Sequence, residues 1–277
     1  MLNLGIGLKK SWSLMKHLLA IVACGCTMPL VHSQPMESHL ESVLIRKEVR
    51  ICIWPDYYGI TFRNPKTQLL EGVDAEMALE LGKDLGVSVE FVDSSFANLI
   101  ADISSNKCDV AMFAVGVTAQ RAEKLRFTKP TLVSDIYGIT TRNNRQIKTW
   151  ADIDKPGVVV AVMKGTLHEP IMRERLKVAT LKVVDTPMAR EQEVTSGRAD
   201  VFMTDYPYSR RMLETTDWAR LVSPPTIYHE TPYAYAMAPG DDKWAQRLDQ
   251  FVRDAQQDGR LLKIARRYKL DPIVLQR

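Results

Sequence analysis

The same helix-to-strand junction occurs twice in this chain, once in each half. Lys107-Cys108-Asp109-Val110-Ala111-Met112 matches Arg198-Ala199-Asp200-Val201-Phe202-Met203. In each copy a basic residue closes a helix, where it suits the dipole, and Asp precedes an apolar run that enters a core. The elements around the two copies also come in the same order. In the first half, residues 49–54, 87–92 and 109–115 read as strands, with helical apolar spacing over 74–85 and 96–103 and a helix stop at Gly86. In the second half, 158–162, 181–184 and 200–203 read as strands, and 169–176 and 188–196 as helices. Strand–helix–strand order implies parallel sheets joined by crossover helices. The fold class expected is α/β, with two similar lobes. Ligands of open parallel sheets sit beyond the carboxyl ends of the strands, so the segments after the matched strands are the places to look. One contains Arg121 and the other Asp205, so one offers a cation and the other an anion.

The N-terminus has a separate character. Lys9, Lys10 and Lys16 precede an apolar run over 18–31, no acid occurs before Glu37, and Val31-His32-Ser33 fits a small-x-small cleavage site. Residues 1–33 are therefore expected to be a signal peptide, with Met15 as an alternative start, and the mature chain to lie in the periplasm. Ile21-Val22-Ala23-Cys24 resembles a lipobox, but the apolar segment before Cys24 is short, and the soluble, cleaved form is expected. Removing the three lysines leaves 34 basic residues against 33 acidic, so the formal charge falls from +4 to +1. A near-neutral chain without a basic block gives no support for nucleic acid as a partner. After cleavage Cys52 and Cys108 remain. Export permits a disulfide, yet both sit at or in apolar strand-like runs, and buried thiols are the expectation. His39, His168 and His229 form no ligand pair at helical spacing, so neither metal nor cofactor is expected. Nucleophile-elbow, phosphate-loop and dinucleotide fingerprints are absent from the sequence.

An ordered series of motifs carries a family resemblance over about 48–270. Trp54-Pro55-Asp56-Tyr57-Tyr58 forms an aromatic loop after the first strand, and Gly72-Val73-Asp74 opens a helix. Gly116-Val117-Thr118-Ala119-Gln120-Arg121 is followed by Phe127-Thr128-Lys129-Pro130. Lys164-Gly165-Thr166, Thr204-Asp205 and Asp258-Gly259 complete the series. In this order they resemble the bacterial extracellular solute-binding proteins, family 3, which deliver amino acids to ABC importers. The resemblance implies a type II periplasmic binding protein fold with two crossings, near 137–142 and 232–237. Lobe 1 would take 34–140 and 233–277, lobe 2 would take 141–232, and a monomer would dock on an inner-membrane permease. It further implies that Arg121 pairs with a ligand carboxylate through a bidentate fork. N–H groups of Ala114, Gly116, Gly165 and Thr166 would add donors, Asp205 would accept from an ammonium, and Tyr58, with Trp54 and Tyr57, would cover the ligand side chain.

Plainer roles stand beside these. Thr118 and Asp205 could serve only as helix N-caps, and Arg121 could be solvated. Gly116, where relatives carry Ser or Thr, and Leu167, where a second hydroxyl is frequent, depart from the family pattern. Two rival functions share the fold: a cyclohexadienyl dehydratase acting on prephenate or arogenate, with Glu169 a weak candidate acid, and a binding protein that feeds a membrane sensor.

Overall fold

The structure, a computed structural model, describes residues 38–275. The expected signal peptide, with Met15 and Cys24, lies outside the described residues. Ser38 caps α1 (His39–Arg46) by accepting from the Leu40 amide, and β1 (Glu48–Ile53) follows. A small antiparallel sheet of β2 (Asp56–Tyr57), β3 (Thr61–Arg63) and β4 (Leu70–Glu71) precedes α2 (Val73–Leu85), which ends at left-handed Gly86. Then come β5 (Ser88–Asp93), α3 (Leu99–Ser104), β6 (Val110–Gly116), the single turn α4 (Ala119–Ala122), β7 (Arg126–Phe127) and β8 (Leu132–Ser134). The second half runs β9 (Tyr137–Thr141), β10 (Val159–Met163), α5 (His168–Arg175), β11 (Thr180–Val184), α6 (Pro187–Thr195), β12 (Val201–Thr204), α7 (Tyr206–Thr215) and β13 (Ala219–Val222). The chain finishes with β14 (Thr231–Met237), α8 (Asp242–Gln257) and α9 (Arg260–Arg267).

Two main sheets result. One has the order β5-β1-β6-β14-β7 with β8 also on β14, the other β11-β10-β12-β9-β13. In each, three strands joined by crossover helices are parallel, while the strands contributed by the crossings, β14 and β9, run antiparallel. Strand β9 belongs wholly to the second sheet and β14 wholly to the first. The architecture is thus the expected pair of α/β lobes.

The repeated sequence junction has a repeated job. Asp109 accepts from the Arg50 amide on β1 at 2.7 Å, and its own amide donates to the Arg50 carbonyl. Asp200 does the same with Val159 at the start of β10, at 2.8 Å. Each Asp therefore closes the ladder where the third strand enters, satisfying a donor that would otherwise be lost at the sheet end. Asp109 also receives Arg46 and Arg50, which neutralise a buried carboxylate.

Two expectations are corrected. Cys52 and Cys108 are joined as a disulfide, with Cα atoms 5.5 Å apart, rather than standing as separate thiols. The cause is the parallel pairing of β1 with β6, which sets Cys52 opposite Ala111 and brings the preceding residues of β6 alongside. The first half's second helix also begins later than its apolar spacing suggests, at Leu99. Phe96 lies in the loop before it and packs edge-on against Trp54, Tyr57 and Phe113 at centroid distances of 5.1–5.8 Å.

Candidate functional site

The carboxyl ends of β6 and β12 meet across the lobes, and between them lies a narrow cavity of about 20 Å³, room for about one water molecule. Trp54, Tyr57, Ala114 and Tyr233 line it from the first lobe, and Thr166, His168, Arg190 and Asp205 from the second. A wider mouth of about 350 Å³ adjoins it, with Phe96, Thr166 and Leu167 bordering both and Arg121 on the mouth side.

Thr118 caps the short helix α4 by accepting from the Arg121 amide, which aims the Arg121 side chain inward. Arg121 is only 7% exposed. Its Nη1 donates to the Gly116 carbonyl at 2.9 Å and its Nη2 to the Gly165 carbonyl at 3.1 Å, so one guanidinium spans both lobes. Phe96 lies beneath it at 5.4 Å. No carboxylate pairs with it among the described residues, and burial pushes its pKa down to about 10. A buried cation held only by carbonyl dipoles is suited to an anionic partner.

Asp205 caps α7, accepting from the Tyr208 amide at 3.1 Å through Oδ1. Its other oxygen accepts from the hydroxyls of Tyr57 and Tyr233, both on the opposite lobe. Burial raises its pKa, against the pull of these donors and of Arg190. The N-cap role and the cleft location therefore coincide in one residue. The position expected for a ligand ammonium is taken by the two tyrosine hydroxyls.

The backbone donors are engaged within the protein. The Ala114 amide, at a residue with φ of +50°, donates to buried Asp74 at 2.6 Å. The Gly165 amide donates to Glu169 at 3.2 Å, and the Thr166 amide to the Met163 carbonyl. Thr166 also donates its hydroxyl to Met163, at 2.7 Å. Gly165 needs its lack of a side chain: φ is +77°, and a Cβ would stand 2.8 Å from the Ala97 backbone. A Cβ on Gly116 would come within 2.8 Å of Leu167 Cδ2.

Of the aromatic loop, Trp54 and Tyr57 reach the cavity, 5.2 Å apart between centroids. Tyr58 does not. It packs on Phe62 at 5.5 Å and lines a separate hollow with Arg267, Tyr268 and Lys269. A turn closed by the Tyr57 amide on the Trp54 carbonyl at 3.2 Å brings Trp54 and Tyr57 to the same side, and Tyr58, the next residue along, points the other way.

Several lining residues escaped the sequence. Tyr233 sits on the returning strand β14, whose pairing with β6 is not visible in any local pattern. His168 is buried, its pKa lowered to about 3 by desolvation and then by Arg190 and Arg121. Arg190, 3% exposed, stands in the first turn of α6 behind the cap Thr186, where an exposed basic side chain would be ordinary. It packs against the rings of Phe202 and Tyr208, 4.6 and 4.5 Å from their centroids.

The model of the bacterial extracellular solute-binding proteins, family 3, matches residues 49–271, which takes in both main sheets and every residue lining the cavity. The chain belongs to that family. This solute-binding protein is similar to cyclohexadienyl dehydratase of Pseudomonas aeruginosa, 28% identical over 247 residues that cover 89% of this chain and 91% of the dehydratase. It is also similar to the L-cystine-binding protein TcyJ of Escherichia coli, 23% identical over 72% of this chain and 74% of TcyJ. Among solved structures, an ancestral amino acid-binding protein, a precursor of cyclohexadienyl dehydratase, matches with a TM-score of 0.77 at 27% identity, covering 83% and 99% of the two chains. Arginine-bound AbpA, an amino acid ABC transporter substrate-binding protein of Streptococcus pneumoniae, matches with a TM-score of 0.76 at 20% identity, over 83% and 98%. The fold is that of the type II periplasmic binding proteins.

Proposed function

We propose that this solute-binding protein captures an amino acid or a related small carboxylate between its lobes, in the periplasm, for import through an ABC permease. The observation that carries the proposal is Arg121: buried, facing both lobes, and bonded only to carbonyl oxygens. A ligand carboxylate would exchange those bonds for a charge-assisted bidentate pair and would tie the lobes together at the same time. Trp54 and Tyr57 would then cover the ligand, and Asp205 would hold an ammonium once one tyrosine hydroxyl turns aside. Gly116, Gly165 and Thr166 would shape the floor. Residues 1–33 as a cleaved signal and a monomer of lobes 34–140 with 233–277, and 141–232, belong to the same proposal. The pairing of β9 favours a first crossing a few residues earlier. A thermal-shift screen of amino acids and small carboxylates on the purified protein tests it. A ligand at a hundred times its Kd raises stability by about 2.7 kcal/mol. No shift across the screen would contradict capture of this class.

The similarity to a dehydratase over nine-tenths of both chains favours a second reading, an enzyme in the same cavity. Asp205 is the carboxylate that lines the inner cavity among the described residues, whereas Glu169 lies at the mouth, held by the Gly165 amide and Arg173. Incubation with prephenate or arogenate, followed by absorbance of an aromatic product, separates the two. Turnover that ends when Asp205 is replaced by Asn supports the enzyme; binding without turnover supports capture alone.

A further inference from the structure

Arg190 is the strongest feature of the cavity that amino-acid capture leaves unexplained. It lines the inner cavity beside Asp205 and His168, while Arg121 stands at the mouth. Of its donors, Nη1 bonds the Met203 carbonyl at 3.0 Å, and Nε is buried with no acceptor among the described residues. The Phe202 and Tyr208 rings, set edge to face, both contact the guanidinium but supply no counter-charge. Asp205 is near enough to feel Arg190, yet its oxygens are occupied by Tyr57, Tyr233 and the Tyr208 amide. A buried donor without an acceptor is costly, and a buried cation more so.

The charges of the site do not balance. Among the described residues that line the cavity and its mouth, Arg121 and Arg190 are positive and Asp205 is the negative group against them, while Asp74 lies behind the Ala114 amide. His168 adds nothing near neutral pH, because burial and the two arginines hold it neutral. At the mouth, Glu169 and Arg173 cancel as an ion pair at 2.9 Å. One positive charge is left over. A zwitterionic amino acid leaves it uncompensated, and a cationic side chain adds to it.

We propose that Arg190 is a second anion-binding residue, so that the ligand carries two acidic groups and a net negative charge, one group for Arg121 and one for Arg190. This rests on the capture of a small carboxylate proposed above. It sets this chain apart from a relative bound to arginine.

Calorimetric titration of the purified protein tests it, with aspartate, glutamate, succinate and 2-oxoglutarate set against asparagine, glutamine, pyruvate, lysine and arginine. The expected result is that a diacid binds about tenfold or more tighter than its neutral or single-acid counterpart, and that lysine and arginine do not compete. Arg190→Met, which keeps length and apolar contact with the two rings, is expected to erase that preference, bringing the Kd of the diacid to that of its counterpart. If Arg190→Met melts early, Arg190→Lys keeps the charge and is expected to keep the preference. Amides or cations that bind as tightly as diacids, or a preference that survives in Arg190→Met, would overturn the assignment while leaving small-carboxylate capture intact. Absence of binding by every compound would overturn both.

Discussion

Leu167 Cδ2 stands over Gly116, 2.8 Å from where a side chain there would begin. The two residues lie on opposite lobes, and each stands where the family resemblance leads one to expect a hydroxyl residue. In the sequence these are separate departures. In the structure they are one contact: apolar bulk from one lobe fills the space that the other leaves open, next to the guanidinium of Arg121. The pair is therefore expected to be coupled. Gly116→Ala overfills the contact at a cost of about 1–3 kcal/mol, and Leu167→Ala empties it at about 2–5 kcal/mol, in urea unfolding. The double variant should recover at least about 0.5 kcal/mol relative to the sum. Strict additivity would mean that the two do not meet.

Asp74 supplies a pH dependence. It is fully buried and accepts from the Ala114 amide, and desolvation raises its pKa from 3.8 to about 7. An acid whose pKa is raised on folding binds its proton more tightly in the native state, so stability falls as pH rises between about 4 and about 7. The full effect is on the order of 4 kcal/mol. Asp74→Asn keeps an acceptor for Ala114 and should remove this decline. Urea midpoints of both proteins across that range measure it, and parallel curves would contradict it.

The disulfide ties β1 to the entry of β6 across 56 residues. Loop-closure entropy assigns such a link about 4 kcal/mol, and removal typically costs about 2–5. Cys52→Ser with Cys108→Ser, or dithiothreitol, should lower the urea midpoint accordingly. A midpoint indifferent to reductant would show that the thiols are unpaired in solution.

What the sequence made legible was local and repeated. Alternating elements, the twin Asp junctions at 109 and 200, and the Thr118 and Asp205 caps could all be seen, because each depends on neighbours a few residues away. What it hid depends on strands meeting across the chain. Cys52 finds Cys108, and Tyr233 reaches Asp205, only through the parallel β1–β6 and antiparallel β14–β6 pairings. That Tyr58 faces away from the cavity and Arg190 into it was hidden for a related reason: the face a residue presents follows from its exact start in the element, and a shift of one position reverses it in a strand and turns it by about 100° in a helix. The backbone donors at Ala114, Gly165 and Thr166 were legible as positions, but their partners Asp74, Glu169 and Met163 were not.

The central claim is that Arg121 receives the ligand carboxylate. Its most direct test is calorimetric titration of the best-binding compound into the protein and into Arg121→Ala and Arg121→Lys. Loss of a charge-assisted bidentate contact should raise Kd by about 100-fold in the alanine variant, with only partial rescue by lysine, whose point charge cannot fork. The melting temperature without added compound should remain within a few degrees of the parent, since the bonds lost are two hydrogen bonds to carbonyls. An unchanged Kd in Arg121→Ala would place the carboxylate elsewhere and contradict the account.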